Sequence, residues 1–545
     1  MIKKKINNLS INLNISKKSG WKNIKKKNIE IYFKGFFLGN DLNENNSLPF
    51  FLKNFIKEYK INYNKLSNMP GNFAFIAIIK SEIHIVMDAS RSNPLYYYFE
   101  NKILFISEKA KDIKKYFNIK EINEEILILA KMSGYTFSNY TLYSKIYTLN
   151  PGEFLRIDKG RNNLIKKYIK YFPKKIIKKS YKEYEEIYFK TLLSIFKDYK
   201  KHLENKEIYI ALSAGDDSRL IVSMLKILNF KNVKCFSYGI KNNWESKISK
   251  KISNKLGYEW FFIEIKKDSV NNLFKSKKFS RYFELNDNYD SAPSIHELAV
   301  FDEIKKKIPK NSVIINGQPA DGIYGSYVYK NFVQQETKYE FPFKDIINKH
   351  YSLWENLKTD KNINVIKKYL KIEKNNFFQN KKTKAYKIMM TTSLQNRICK
   401  YLNKNYDVYK FYNYKWICPF MDLRFLKFWF SIPEEFLLNR NLSKKILKNL
   451  NIANVWDEKK KRHNNLGFFT GLLRSALKVF FINNKNGWEK FHKKYFAYDY
   501  DNQLKTHIVS EKDWKKSKYH RSSISFLSLK WLKLNKINEH YSLKR

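Results

Sequence analysis

Ser213-Ala214-Gly215-Asp216-Asp217-Ser218 is the segment whose residue types come closest to doing chemistry. It follows the apolar run Ile208 to Leu212 and precedes Leu220, Ile221, Met224, Leu225 and Leu228 at helical spacing, so it reads as the loop between a strand and a helix. Ligands of α/β sheets bind at such strand ends. Backbone N–H groups and the helix N-terminus favour an anion there, and Gly215 lets the chain approach it closely. Phosphate is the natural guest. No GxxxxGK[ST] occurs in the loop, which removes the main support for a kinase or GTPase. Asp217 adds a carboxylate able to hold a Mg²⁺ that bridges phosphates. The hexapeptide alone is equally served by an ordinary turn whose Asp and Ser cap the helix.

The elements that must position this loop continue the same pattern. Val233–Tyr238 reads as a second strand, Ile248, Ile252 and Leu256 as a helix stopped by Gly257, Trp260–Ile265 as a third strand and Val313–Ile315 as a fourth. Helical patterns dominate from Lys344 onward. Upstream, Phe73–Ile79, Ile83–Met87 and Ile103–Ile106 alternate as short antiparallel strands. After the lysine-rich stretch around residues 174–182 the period changes to helical, with Tyr184, Ile187, Tyr188, Leu192, Ile195 and Tyr199. The expected division is residues 1–180 and 181–545, an α+β two-domain chain.

The loop resembles the SGGxDS pyrophosphate loop of the ATP pyrophosphatases, with Ala214 at the first glycine. Further segments narrow the resemblance to the asparagine synthetase family. Phe236-Ser237-Tyr238-Gly239-Ile240 is similar to its second nucleotide segment, and Asn316-Gly317-Gln318-Pro319-Ala320-Asp321-Gly322-Ile323-Tyr324-Gly325 to its SGEGADELFGG segment. Cys418-Pro419-Phe420-Met421-Asp422 with Arg424 resembles VPFLDxR, and Ser431-Ile432-Pro433-Glu434-Glu435 the SLPxE that follows. Gly71–Phe75, Asp88, Asn93–Tyr97, Phe105–Glu108 and Asn150–Glu153 resemble the glutaminase domain of that family.

The resemblance implies an N-terminal antiparallel β-rich sandwich of the N-terminal-nucleophile type and a C-terminal parallel-sheet ATP-pyrophosphatase domain with added helices. It implies ATP and Mg²⁺ as cofactors. By the match, Leu212, Tyr238, Asn316 and Gly317 contact adenosine; Ser213, Gly215, Asp217 and Ser218 hold pyrophosphate; Asp217 and Asp321 attend the metal. A late phosphate-contacting lysine falls in Lys459-Lys460-Lys461, with Lys461 favoured. Asp217, Asp321 and Lys461 would be the catalytic set.

Departures from the family pattern are equally informative. Gln318 and Gly322 stand where SGEGADE has its first and last glutamates, and a glutamine cannot act as a base toward an attacking amine. The chain begins Met1-Ile2-Lys3 rather than with cysteine after Met removal, and Lys34-Gly35-Phe36-Phe37 takes the place of the glutamine pocket, although Asp88 matches a glutamine-contacting aspartate. No glutaminase nucleophile is therefore expected. The leading reading is an AMP-forming carbon–nitrogen ligase that adenylates a carboxylate, aspartate first, and lets ammonia or an amine displace AMP. Amidation of a sugar acid for surface polysaccharide and β-lactam or lasso-peptide type cyclisation are the alternatives within the family. From other classes come a tRNA-modifying pyrophosphatase, whose case fails on the glutaminase-like segments, and a non-catalytic scaffold, opposed by Asp217, Ser218 and Asp321.

Composition bounds these readings. The 545 residues, 43% apolar, support more than one buried core. Lys+Arg number 105 against 51 Asp+Glu, a net charge of +54. The excess is lysine spread along the chain with Asn, Ile, Phe and Tyr, the residues of A/T-rich codons, and not an arginine-bearing stripe, so nucleic acid is not the expected partner. Small-molecule carboxylate and amine are, and a homodimer is compatible with the reading. Cys235, Cys399 and Cys418 are too few and scattered for a disulfide framework or metal site. No apolar run approaches the ~18–20 residues of a membrane span, and Met1 to Lys27 is lysine-rich without the apolar stretch of a signal peptide, which leads to a cytoplasmic expectation.

Overall fold

The computed structural model describes residues 1–545 apart from 7, 40–41, 159–162, 242, 378–382, 459–467, 501–508, 518 and 538–545. Its N-terminal part is two stacked sheets. One has the strand order Ile2–Ile6, Leu9–Asn14, Ile103–Ser107, Tyr96–Glu100, Tyr147–Thr148; it is antiparallel except where Ile103–Ser107 runs parallel to Leu9–Asn14. The other is antiparallel throughout, in the order Asn163–Lys167, Glu153–Ile157, Glu82–Met87, Gly71–Ile79, Ile29–Phe37, Trp21–Lys26.

The two-residue period of a strand explains the layering. Ala74, Ile76 and Ile78 face the other sheet and meet Ile11, Leu13, Leu104 and Ile106 in one core. Phe73, Phe75, Ala77 and Ile79 point the other way, into the larger core. There Phe73 lies 4.7 Å from Phe37 and Phe75 lies 4.5 Å from Phe51, ring centre to ring centre. The strands before Gly71 are wider territory than the alternation between Met69 and Phe117 suggests, because Ile2–Ile6 and Trp21–Lys26 are lysine-rich edge strands with little apolar signal.

The helix Tyr181–His202 opens the C-terminal part, with Ser180 and Glu183 forming a capping box. Five parallel strands follow, in the order Glu259–Glu264, Val233–Gly239, Ile208–Ala211, Val313–Ile315, Lys415–Ile417. The chain builds outward from Ile208–Ala211 in one direction and then returns to its other side. That reversal makes a topological switch point between Ile208–Ala211 and Val313–Ile315. Lys415–Ile417 is a strand within the mostly helical region after Lys344, and three residues are too short for a period to be read.

The parts are joined through the segment Asp287–Ala292. Arg91 is buried, and its Nη2 meets Asp290 Oδ2 at 2.7 Å, while Tyr96 donates to the same oxygen at 2.8 Å and Lys404 Nζ lies 3.4 Å from Oδ1. Backbone bonds from Thr136 to Asp290, Leu142 to Tyr289 and Ala292 to Gly134 complete the seam. Burial alone would raise the Asp290 carboxyl, but Lys404 and Arg91 hold it well below the usual carboxylate range.

A carboxyl depressed in the folded state contributes stability above its unfolded value, near pH 4, and loses it as pH falls through the folded one. Asp290→Asn is therefore expected to cost about 3–5 kcal/mol at neutral pH by stranding Arg91 and Lys404. In urea melts the deficit should shrink in strong acid; a deficit independent of pH would contradict the assigned ion pair.

Candidate active site

The loop after Ile208–Ala211 is held by its own serines. Ser213 N donates to Ser218 Oγ at 3.1 Å, Gly215 N to Ser213 Oγ at 3.0 Å, and Ser218 Oγ to Ser213 O at 3.3 Å. The helix Asp216–Ile227 starts at once, with Gly215 as N-cap and no side-chain cap bond at its first turn. Gly215 sits at φ −74°, which any residue could adopt. Its service is space, since a Cβ would lie 3.0 Å from Ser213 Oγ.

Across the switch point, the loop after Val313–Ile315 closes on this one. A Cβ on Gly317 would fall 2.9 Å from Asp217 Cβ and 3.3 Å from Ile221 Cδ1, so only glycine allows the approach. Asp217 and Asp321 thereby come together. Asp217 is partly buried, its Oδ1 is enclosed without a hydrogen-bond partner, and its carboxyl also accepts from the Asp321 amide. Burial first, then the Asp321 charge, pushes the Asp217 carboxyl well above its usual range, with Arg440 opposing.

Arg440 is the residue that sequence reasoning missed. Its Nη1 meets Asp321 Oδ1 at 2.6 Å, its Nη2 meets Asp216 Oδ2 at 3.4 Å, and the guanidinium lies 5.3 Å from the Tyr324 ring centre. Asn439 and Arg440 both adopt left-handed backbone, φ 55° and 60°, a strain of about 1 kcal/mol or more each. Gly325, at φ +102°, packs where a Cβ would meet Leu437 O at 2.6 Å, which fixes this turn against the Asp321 loop. An arginine in so lysine-rich a chain, following the Ser431–Glu435 segment, was the available signal.

The adenosine-side set assembles on adjacent strands. Leu212 is buried, with its N–H bonded to Phe236 O at 2.8 Å and its carbonyl accepting from Ser237 Oγ at 2.6 Å. Asn316 Nδ2 donates to Tyr409 OH at 2.5 Å, and its Oδ1 accepts from Gln318 N at 2.8 Å. The Glu297 charge and then burial raise the Tyr238 hydroxyl; burial and then Glu297 raise that of Tyr409, so both phenols stay protonated over a buried acid. Gln318 is tied down by Asn405 Nδ2 at 2.6 Å on its Oε1 and by Cys418 Sγ at 2.8 Å on its carbonyl. At Gly322 a Cβ would come 2.8 Å from Tyr327 Cε2.

Other expected positions have different duties. Lys461, with Lys459 and Lys460, lies outside the described residues; the chain leading to it is bonded through Val455 O to Arg219 Nη1 at 2.8 Å. Asp422 and Arg424 pair with each other at 2.9 Å, and Arg424 pairs with Asp198 at 2.5 Å, which binds the strand-end segment to the helix Tyr181–His202. Asp88, which matches a glutamine-contacting aspartate of the family pattern, serves its own turn here. Its carboxylate is consumed by Phe73 N at 2.7 Å, Ser90 N at 2.7 Å, Ser90 Oγ at 3.0 Å, Ser92 N at 3.1 Å and the Ser92 hydroxyl. Phe36 stacks on His202 at 4.1 Å, Phe37 is core, and Lys34 pairs with Glu108. Burial pushes the Cys235 and Cys418 thiols up to about 12 and Cys399 further, so the described residues offer no ready thiolate.

Two hard carboxylates, one with an unsatisfied buried oxygen, beside a helix start that lacks a side-chain cap suit a Mg²⁺ completed by phosphate oxygens and water. Among the described residues no group of three or more His, Cys, Asp or Glu is placed to hold a metal ion.

Comparison with known proteins places the asparagine synthase family model on residues 200–453. A search of the curated proteins returns no match. Among solved structures, the allosteric regulatory enzyme of purine biosynthesis is 10% identical with a TM-score of 0.19, over 55% of this chain and 57% of that one. Glutamine phosphoribosylpyrophosphate amidotransferase from B. subtilis is 9% identical with a TM-score of 0.16 over the same shares. The chain thus spans little more than half of either, and scores so low carry no argument.

Gly317→Ala tests the loop contact directly. Forcing the two loops apart should weaken pyrophosphate binding by about tenfold or more, at a stability cost of about 1–3 kcal/mol. Calorimetric titration showing unchanged affinity would mean that the approach of the loops does not build the anion site.

Proposed function

Residues 200–453 are a domain of the asparagine synthase family, a family of ATP-dependent amidating ligases, and from that premise we propose that this chain adenylates a carboxylate. The reaction releases pyrophosphate, after which ammonia or a substrate-borne amine displaces AMP to leave an amide. The observation that carries the proposal is the close approach of the Ser213–Ser218 loop, which bears Asp217, to the Gly317–Asp321 segment across the switch point. A Mg²⁺ held by Asp217 and Asp321 would neutralise charge on the polyphosphate.

The chain's own groups do the rest. Ser213, Gly215 and Ser218 hold the loop open to the departing pyrophosphate, and the first-turn amides receive it. Leu212, Tyr238, Asn316 and Gly317 line the adenosine side. Arg440 keeps the carboxylates from repelling the nucleotide and stands ready to share the charge that builds on it. Lys461 keeps its sequence-based role at the phosphates. No side chain is needed as nucleophile, so orientation and fixed charge supply the catalysis.

Aspartate is the first carboxylate to test. A uronic acid is the alternative, on the ground that Gln318 and Gly322 depart from the two glutamates of the family pattern. The occupied Asp88 carboxylate and the filled Phe36–Phe37 region support an N-terminal domain that is structural, with no glutamine hydrolysis.

With the correct carboxylate, ATP should yield AMP and pyrophosphate, read by nucleotide chromatography; ADP as the main product would defeat the mechanism. Asp217→Ala and Asp321→Ala should each lower turnover by about 10³-fold or more while melting curves stay close to wild type. Near-normal turnover at saturating Mg²⁺ would remove them from the site.

Nitrogen source is tested separately by mass spectrometry of the product. Label should arrive from ¹⁵N-ammonium, or come from neither source if the amine is substrate-borne. Efficient transfer from ¹⁵N-amide glutamine would contradict the structural role given to the N-terminal domain.

A further inference from the structure

The helix Phe468–Val479 divides cleanly into two faces. At 100° per residue Phe469, Leu472, Leu473, Ala476 and Val479 share one arc, and Thr470, Arg474 and Lys478 the other. A helix resting on a globular core turns its apolar arc inward. Here the orientation is reversed: Phe469 is 83% exposed, Leu472 54%, Leu473 55% and Val479 61%, and the following turn adds Phe480 at 83% and Ile482 at 75%. Attachment to the protein runs through the opposite side. Arg474 lies 5.3 Å from the Trp488 ring, Leu477 is half-buried, and Phe481 packs 5.7 Å from Trp488 and 5.2 Å from Phe491.

A contiguous apolar face of this kind marks a contact surface, and charge selects the partner. Residues 468–484 contain Arg474 and Lys478 and no acid, and the next helix adds Lys485, Lys490, Lys493 and Lys494 against Glu489 alone. A second copy would bring the same positive field to the interface and be repelled. An anionic lipid surface satisfies both halves, receiving the apolar side chains below its headgroups and the lysines among them. Among the described residues no helix is long and apolar enough to cross a membrane, and this one has 12 residues, so it would lie in the surface plane.

We propose that the helix Phe468–Val479 and the Phe480–Ile482 turn form an in-plane anchor for an anionic membrane surface. This is independent of the ligase reading.

Full-length protein is to be floated with vesicles of phosphatidylcholine containing phosphatidylglycerol, and with phosphatidylcholine alone. Wild type should float with the former, less so at raised salt, and weakly with the latter. The double variant Leu473→Ser, Phe480→Ser changes two exposed positions, so circular dichroism should be unchanged while partitioning falls about tenfold or more. Lys478→Glu should weaken binding to the anionic vesicles alone. Failure of wild type to float, equal flotation of the double variant, or equal binding to both vesicle types would overturn the proposal. So would a dimer seen by light scattering that the double variant dissolves, which would make the face a contact between copies.

Discussion

Asp217 and Asp321 stand against each other at the carboxyl end of a parallel sheet, and a pair of carboxylates with one oxygen buried and unsatisfied is costly without a counter-charge. Arg440 supplies part of it from a turn held in left-handed backbone. The Gly325–Leu437 contact fixes that turn, and the Gly317–Asp217 contact fixes the carboxylates. Neither glycine could carry a side chain without separating charges that must stay close. Polar groups left unsatisfied at a cleft in this way are what a cationic ligand and its phosphate would complete.

The second organising charge is Asp290, buried at the seam between the two parts. Arg91 reaches it from the N-terminal sheets and Lys404 from the C-terminal part, so the seam depends on one carboxylate. Arg91 also donates to Leu149 O at 3.1 Å and Thr148 Oγ1 at 3.0 Å, which ties the same ion pair to the closing turn of the sandwich. Ion pairs buried this deeply specify an arrangement more than they strengthen it. The Asp88 turn nearby, saturated by Phe73, Ser90 and Ser92, presents Arg91 to the seam. A carboxylate that would touch a ligand in the family pattern is here a structural fastener.

Short apolar strands bounded by turn residues, such as Phe73–Ile79, and the strand-loop-helix unit at Ile208–Leu228 were legible because local composition, period and turn chemistry carry them. The residue types in Ser213–Ser218 were enough to name a candidate anion site and one metal-suited carboxylate, Asp217, since those properties belong to the side chains themselves, whereas Asp321 was singled out only by the family resemblance. What the sequence could not supply was adjacency. The switch point between Ile208–Ala211 and Val313–Ile315 follows from sheet order, which rests on long-range pairing and not on any local pattern. Arg440 joined the site only because a strained turn, 119 residues beyond Asp321, folds back onto it. The hydrogen bonds that saturate Asp88 likewise depend on three-dimensional placement. The outward apolar face of Phe468–Val479 shows the same division, for its amphipathic period is written in the sequence while its direction was decided by tertiary packing alone.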